Sequence, residues 1–521
     1  MEVEIDNRIK QLRKLKGKAL KAGGEKKIDL KDEKGKLSAR ERIDYLLDDG
    51  SFMEFNMLVN HLEGTPGDGL ICGFGAINGR TVCIDAQDST VRGGTIGKLH
   101  GYKMYRTVER AIEMGVPVIS LFDSPGARLP KITEGGSATG DIMEKSGGSL
   151  FFPNTQASGY IPQISAIMGS CAGISVYSPA LTDFVFMVDK QSYMFITGPA
   201  MVKTIIGEEI SYEKLGGAKV HCQVSGVADG RFASDQECLD KIKELLSYIP
   251  SNTHRAPPII QMDDDRERLN DDLVNILPNS PSKPYDMHKV IYSLIDKGQF
   301  FEIKPEFAGE IIVGFGRLDN HVVGFVCNQP MVRAGSLTVD GSDKQTRFIR
   351  FCDSFNIPIV LLIDTPAYLP GSSQEHKGII RHGAKVLYAL CEATVPRIAI
   401  VLRKSYGGGN LGMGIIPGLG TDLVYFWPGV EAGVLGAEAS VELFFGKEIK
   451  NSDNPEETKE KRLLEYINKY SNPIREISLS WWINDIIEPQ ETRKVLIMGL
   501  NYLSTKKRPP KIDKRHGNMP V

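Results

Sequence analysis

No stretch of this chain stays apolar for the roughly 18 residues that a membrane-crossing helix needs. The opening Met1-Glu2-Val3-Glu4-Ile5-Asp6 has none of the apolar core of a secretion signal, so the expected location is the cytoplasm. The 8 cysteines form no C-x-x-C pair, and several sit in apolar runs such as Thr81-Val82-Cys83-Ile84. They read as reduced, buried thiols rather than a disulfide framework. The 9 histidines form no H-E-x-x-H, and no protein-bound metal is expected. With a formal net charge of −2 there is no global basic excess, so neither nucleic acid nor an anionic membrane is an expected partner.

What is present points to more than one domain. At 521 residues the chain exceeds what one hydrophobic core usually serves. Gly, at 54 residues, is abundant enough to favour tight turns and backbone-lined sites. The first 50 residues are lysine-rich and helical in pattern, and Ser38-Ala39-Arg40-Glu41 has the shape of a capping box. The basic run Lys10 to Lys36 reads as a solvated helix face more readily than as a binding arm. Prolines 257, 258, 278, 281 and 284, with Asp263-Asp264-Asp265 among them, have the composition of a linker. The expected division is residues 1–262, a linker at 263–284, and residues 285–521.

The two halves repeat one another. Gly73-Phe74-Gly75 is echoed by Gly314-Phe315-Gly316 (314 − 73 = 241), and Arg92-Gly93-Gly94-Thr95 by Arg333-Ala334-Gly335-Ser336 (333 − 92 = 241). Asp123-Ser124-Pro125 meets Asp364-Thr365-Pro366 at the same 241, Ile161-Pro162-Gln163-Ile164 meets Val395-Pro396-Arg397-Ile398 at 234, and Gly50 meets Gly298 at 248. Short apolar runs (81–84, 118–122, 164–168 and their partners 322–326, 359–363, 398–402) read as buried strands, with helical stretches at 102–113 and 344–355 between them. That alternation predicts a duplicated α/β layered domain.

In each half an Asp-Ser/Thr-Pro turn directly follows a buried strand, and a second small-residue turn follows a later one. The second turns are Gly169-Ser170-Cys171-Ala172-Gly173 and Ser405-Tyr406-Gly407-Gly408-Gly409. Small residues at strand ends let backbone N–H groups face a ligand, and two converging on one oxygen make an oxyanion hole.

The long motifs then resemble a known family. Met168-Gly169-Ser170-Cys171-Ala172-Gly173, Tyr177-Ser178-Pro179-Ala180-Leu181-Thr182-Asp183, Phe195-Ile196-Thr197-Gly198-Pro199, Arg350-Phe351-Cys352-Asp353-Ser354-Phe355 and Gly378-Ile379-Ile380-Arg381-His382-Gly383-Ala384-Lys385 are similar to propionyl-CoA carboxylase β subunits. The segment 405–413 is closer to the methylcrotonyl-CoA branch of the same carboxyltransferases. The resemblance implies two tandem crotonase (ClpP)-like β-β-α superhelix domains. It implies carboxyl transfer between carboxybiotin and the α-carbon of an acyl-CoA thioester through an enolate. Biotin would ride on a separate carrier protein, since no Ala-Met-Lys-Met motif occurs here. Implied partners are that carrier and a biotin carboxylase subunit, or a membrane decarboxylase complex if the chain is a decarboxylase α subunit. A homo-hexamer, a trimer of dimers with sites shared between copies, is the implied assembly. A non-catalytic scaffold is the third reading.

By carry-over, the first hole would use backbone near Gly126, Ala127, Gly173 and Ile174, and the second would use Ala367, Gly408 and Gly409. Arg92, Gly93, Gly94, Lys98, Tyr368, Asn410 and Leu411 would border the cofactor and acyl group. Pro125 stands where the family usually has glycine and removes one donor. Ile174 also replaces a glycine and excludes left-handed backbone there. Leu411 stands where the propionyl branch more often has Asp. Two look-alikes carry less weight. Gly407-x-Gly409-x-x-Gly412 resembles a dinucleotide fingerprint, but the glycines and Pro417 that follow argue against the helix it requires. Gly94-Thr95-Ile96-Gly97-Lys98-Leu99 misses a P-loop at both ends and reads as a helix-opening turn.

Overall fold

The computed structural model describes residues 2–32, 35–128, 150–278, 280, 283–470, 473–507 and 516–521. It divides into two compact units, Met1–Arg255 and Ala256–Val521. Each unit carries an eight-stranded sheet.

In the first unit the strands are β1 (Met53–Glu54), β2 (Leu70–Ile77), β3 (Arg80–Gln87), β4 (Val118–Ser124), β5 (Gln163–Ala172), β6 (Phe184–Val188), β7 (Tyr193–Phe195) and β8 (Gly230–Phe232). Their order is β1-β2-β3-β4-β5-β6-β8, with β7 pairing the far end of β5. β2 and β3 form a hairpin around Asn78 and Gly79, whose φ of 50° and 75° suit the right-handed twist of a two-residue turn. The helix α4 (Lys98–Met114) then carries the chain to β4, which runs parallel to β3. From β3 onward the ladder is parallel, and β3 to β6 are buried along nearly their whole length, as a parallel sheet covered on both faces requires.

The second unit repeats this path. Its strands are β9 (Phe301–Ile303), β10 (Ile311–Leu318), β11 (His321–Asn328), β12 (Ile359–Thr365), β13 (Arg397–Tyr406), β14 (Leu423–Phe426), β15 (Glu431–Gly433) and β16 (Asp485–Ile486). The order is β9-β10-β11-β12-β13-β14-β16, with β15 pairing β13. The α/β duplication inferred from the repeat offsets therefore describes the fold, down to single hydrogen bonds. Asp48 accepts from the amides of Asn78 and Gly79 at 2.9 and 2.8 Å, and Asp296 accepts from Asp319 and Asn320 at 3.2 and 2.7 Å. Gln87 Oε1 accepts from the Asp123 amide at 3.0 Å, as Asn328 Oδ1 does from that of Asp364 at 3.1 Å.

Two expectations need amendment. The described part of 263–284 lies in the second unit and is packed there: Arg268 donates to the carbonyls of Ser293 and Ile295, and Leu273 is fully buried. Its proline-rich, acidic composition signals an absence of sheet, not an absence of packing. At the N-terminus, Ser38 and Glu41 make the expected capping box on α3 (Ala39–Leu46). The long first helix, α1 (Glu2–Leu20), is largely solvated as its charge pattern implies. The next helix, α2 (Glu25–Asp32), is not only a solvated face, since Lys27 Nζ reaches the Thr90 carbonyl at 2.9 Å and Lys31 Nζ the Asp123 carboxylate at 2.8 Å.

Candidate active-site turns

The first unit brings two turns together at the ends of β4 and β5. After β4 the chain runs Pro125-Gly126-Ala127-Arg128 alongside Ile96. Ile96 N donates to Gly126 O at 2.9 Å and Arg128 N to Ile96 O at 2.9 Å, a one-residue parallel bridge centred on Ala127. In such a bridge the central residue turns its own N–H to the opposite side. Gly126 N is taken by Ser124 Oγ at 3.1 Å, so the Ala127 N–H is the donor this turn leaves uncommitted. Pro125, exposed and ahead of these amides, removes none of them.

The second turn opens a helical segment. Gly173 and Ile174 are its first residues, and the leading N–H groups of a helix have no intrahelical acceptor. Gly173 sits at φ +59°, and a Cβ built there would meet nothing nearer than Ile196 O at 4.0 Å, so space is open beside it. The left-handed backbone falls on Gly173 and not on Ile174, which is why a β-branched residue is accommodated at 174. The turns touch: a Cβ on Gly126, at φ +108°, would lie 2.6 Å from Ala172 O.

The second unit builds the same pair after β12 and β13. Leu337 N donates to Ala367 O at 3.0 Å and Leu369 N to Leu337 O at 2.8 Å, a bridge centred on Tyr368. The counterpart of the free Ala127 amide is therefore the amide of Tyr368 (127 + 241 = 368), next to the expected Ala367, whose own amide is also unpaired among the described residues. Likewise Gly407, at φ +49°, matches Gly173, and the expected Gly408 matches Ile174, with the expected Gly409 next in the same helical turn. Gly409 is closely packed, since a Cβ there would lie 2.9 Å from Thr365 Cγ2. Contrary to expectation, Gly407–Gly412 is itself a short helix. The Tyr368 ring packs against it closely enough that a Cβ on Gly408 would lie 3.1 Å from the ring and one on Gly412 2.6 Å from the hydroxyl. Burial pushes the Tyr368 hydroxyl up to about 12.

The remaining expected site residues are placed as follows. Arg92, Gly93 and Gly94 form a helical turn, and Lys98 opens α4. Arg92 is exposed at φ +49° and faces Glu63 at 3.3 Å. Asn410 is held internally, accepting from Ser405 Oγ and donating to Gly433 O, while Leu411 projects outward at 40% exposure. Among the described residues no group of His, Cys, Asp and Glu could hold a metal, and no helix is long and apolar enough to cross a membrane.

A carboxylate closes each strand before its turn, and sequence reasoning assigned neither a role. Asp123 Oδ2 meets Lys31 Nζ at 2.8 Å, Ser89 Oγ at 2.9 Å and Arg42 Nη1 at 3.5 Å. Burial alone would push its carboxyl up, but Arg42 and Lys31 outweigh burial and hold it below the ordinary value. Asp364 is paired by Arg403 Nε at 2.9 Å, and there burial wins and pushes the carboxyl up. The repeated Asp before Ser/Thr-Pro was the available signal, but its cations come from positions that the repeat does not align.

Residues 31–519 match the carboxyl transferase domain model, nearly the whole chain. The chain belongs to the carboxyl transferase family. It is 47% identical to the carboxyltransferase subunit of propionyl-CoA carboxylase from Haloferax mediterranei, over 99% of this chain and 100% of that one. It is 42% identical to the α subunit of methylmalonyl-CoA decarboxylase from Veillonella parvula, over 99% of each. Among solved structures it superposes on transcarboxylase 12S, described as a hexamer assembly with methylmalonyl-coenzyme A and methylmalonic acid bound. That match has a TM-score of 0.93 at 39% identity, covering 99% of this chain and 98% of that one. In this carboxyltransferase the turn pairs therefore stand as the candidate sites, one per unit.

Proposed function

We propose that each turn pair is an oxyanion hole, and that this carboxyltransferase uses one on an acyl-CoA thioester and the other on biotin. The chain is a biotin-dependent acyl-CoA carboxyltransferase, and its biotin is carried on a separate polypeptide. The observation that carries the assignment is the pair of one-residue bridges, each of which turns its central amide (Ala127, Tyr368) away, uncommitted, beside the opening of a helical segment. The donor set fits its ligands. Neutral carbonyl oxygens that gain charge during reaction are stabilised by preorganised N–H groups, and the open space at Gly173 leaves room for one. When bound, biotin supplies the carboxyl group and a nitrogen able to take the α-proton of the thioester.

The protein's own part is to hold, orient and stabilise. The amides of Ala127 and of Gly173 or Ile174 face the thioester oxygen, and those of Tyr368 and of Gly407 or Gly408 face the ureido oxygen. One preorganised donor contributes about 3 kcal/mol to such a transition state, or about a hundredfold in rate. Asp123 and Asp364, just upstream, are matched by cations, so neither adds an uncompensated negative charge near an oxygen becoming anionic. Arg92 and Lys98 supply positive charge at the edge of the first pair for coenzyme A phosphates, and Asn410 and Leu411 border the acyl end.

The favoured substrates are propionyl-CoA and its carboxylated form, methylmalonyl-CoA, supported by the full-length similarity to the propionyl-CoA carboxylase subunit and to transcarboxylase. The decarboxylase α-subunit reading runs the same transfer in reverse and is kept by the 42% identity to that subunit. We infer a homo-hexamer working with a biotin carrier in the cytoplasm, in line with eight free cysteines, seven of them buried. The test is to incubate the purified protein with a panel of α-carboxylated acyl-CoAs and biotin or biotinylated carrier, following decarboxylation by mass spectrometry. Turnover with methylmalonyl-CoA is expected. A properly assembled oligomer that turns over no thioester with its carrier would overturn the assignment.

A further inference from the structure

We propose that Lys31, on the N-terminal helix α2, is a positioning residue for the first unit's turn pair, holding the end of β4 in place through Asp123. The proposal rests on the oxyanion-hole reading above. Three contacts pin α2 and the turn that leads into it. Gly23 N donates to Thr90 Oγ1 at 3.1 Å, Lys27 Nζ to Thr90 O at 2.9 Å, and Lys31 Nζ to Asp123 Oδ2 at 2.8 Å. Lys27 and Lys31 are four residues apart and share a helix face. The approach at Thr90 is close: a Cβ on Gly23 would lie 2.1 Å from Thr90 O, so glycine is needed there.

The groups under this helix form one packed knot. Thr90 is tied by its amide and hydroxyl to Asp88 Oδ1, and Ser89 Oγ donates to the same Asp123 oxygen that Lys31 holds. A Cβ on Gly94 would lie 2.4 Å from Asp123 O, so the Arg92–Gly94 turn also rests on this strand end. Four residues downstream of Asp123 is the uncommitted Ala127 amide. The charged groups facing Asp123 are Lys31 from α2, Arg42 from α3 and, more distantly, Lys36, while Asp235 shares Arg42. Arg42 reaches Asp123 only at 3.5 Å because its Nε is committed to Asp235 at 2.8 Å. Lys31 is therefore the shorter cation contact, and its side chain is only 13% exposed.

The second unit positions its strand end without such a device, through Arg403 from the neighbouring strand. Lys31 thus makes a helix from the first 32 residues part of the first site alone.

The test compares Lys31→Met and Lys31→Arg in the assembled full-length protein. Expected for Lys31→Met is a fall in kcat of about tenfold, with KM for the acyl-CoA within about twofold, because a displaced donor is lost chiefly in the transition state. The acid limb of the pH profile should move upward as Asp123 loses a cation. Lys31→Arg should restore both. Hydrogen exchange at residues 121–128 provides a readout independent of turnover, with faster exchange in Lys31→Met and recovery in Lys31→Arg. Unchanged kcat, unchanged acid limb and unchanged exchange would overturn the proposal, as would equal losses in both variants. If the wild-type protein transfers no carboxyl group, the exchange comparison alone decides for or against Lys31, and the failure belongs to the oxyanion-hole reading.

Discussion

Asp123 and Asp364 occupy one position in a duplicated fold, each closing the strand before its turn, yet their charges are met from different directions. In the first unit the cations come from helices α3 and α2, through Arg42 and Lys31. In the second, the cation is Arg403 on β13. The repeat offset makes Gly169 the counterpart of Arg403 (403 − 234 = 169), and a Cβ on Gly169 would lie 2.0 Å from Asp123 Oδ1. Val290 stands where Arg42 does (42 + 248 = 290). Duplication has kept the carboxylate and exchanged its partner, and each exchange needed a compensating change across the sheet. The backbone of the turns is the shared feature, and the electrostatics around it are particular to each unit.

The largest expected effect lies in the turn backbone, where the units differ at one residue. Gly126 has φ +108° and no room for a Cβ, whereas its counterpart Ala367 holds the same turn without positive φ. Gly126→Val should displace Ala127 and lower kcat by about a hundredfold or more, the worth of one donor. Ala367→Gly should stay within a few-fold of wild type. Steady-state kinetics on both variants decide this, and equal losses would mean that the two turns are not built differently.

Next are the aspartates themselves. Asp123→Asn leaves Arg42, fully buried, with one carboxylate partner fewer, and should cost about 3 kcal/mol of first-unit stability at neutral pH. The sign follows from its depressed carboxyl: the stabilisation is present above the ordinary Asp value and lost as pH falls through the depressed one. Asp364 is pushed the other way, so what its protonated form contributes is present at low pH and lost as pH rises through its raised value. Asp364→Asn should therefore cost less at neutral pH than Asp123→Asn. Denaturant melts of both variants between pH 4 and 8 would read this.

A smaller contrast lies deeper. Asp85 on β3 is fully buried, bonded by Ser120 Oγ at 2.9 Å and with Oδ1 unpartnered, where the second unit has apolar Val326 beside Leu361. Burial pushes Asp85 up to about 7. Stability it contributes when protonated is lost as pH rises through that value, so Asp85→Asn should stabilise the first unit by about 1 kcal/mol at pH 8.5. The gain should shrink as pH falls and vanish only at the ordinary Asp value, about pH 4. Thermal melts at the two pH values test it, and a pH-independent difference would show that Asp85 is paired in a way the geometry does not contain.

What the sequence made legible was the part under backbone control. Strand ends, small-residue turns and the 241-residue offset follow from local patterns, and they pointed to both turn pairs as candidates. Which amide the second bridge turns away was not legible, because it is set by pairing with Leu337, a contact between segments about 30 residues apart. Lys31, Arg42 and Arg403 were not legible, because a cation at a given aspartate can come from any element that packs there. The lysine-rich N-terminus showed charge and hid direction: only its three-dimensional placement separates Lys31 from its solvated neighbours.

The smallest contrast tests the same point at the start of each unit. Arg40 on α3 holds Glu54 bidentately at 2.9 and 3.2 Å. The offset of 248 places His288 at the counterpart position and Glu302 opposite it (40 + 248 = 288; 54 + 248 = 302). His288 Nε2 meets Glu302 at 2.9 Å and Nδ1 meets Asp286, the cap of its helix, also at 2.9 Å. The hydrogen bond to Glu302 raises the imidazole above its ordinary value, against burial. The stabilisation is then complete below the unfolded histidine value and lost as pH rises through the raised one, a dependence that an arginine at the same position does not bring. Because the imidazole is a quarter exposed, solvent screening limits the effect to about 0.5 kcal/mol. His288→Arg should flatten this pH dependence in the second unit, and Arg40→His should create one in the first. Hydrogen exchange resolved by unit, at pH 6 and pH 8, would measure both. A second unit whose stability does not change between those values would mean that Asp286 and Glu302 are held by groups other than the imidazole.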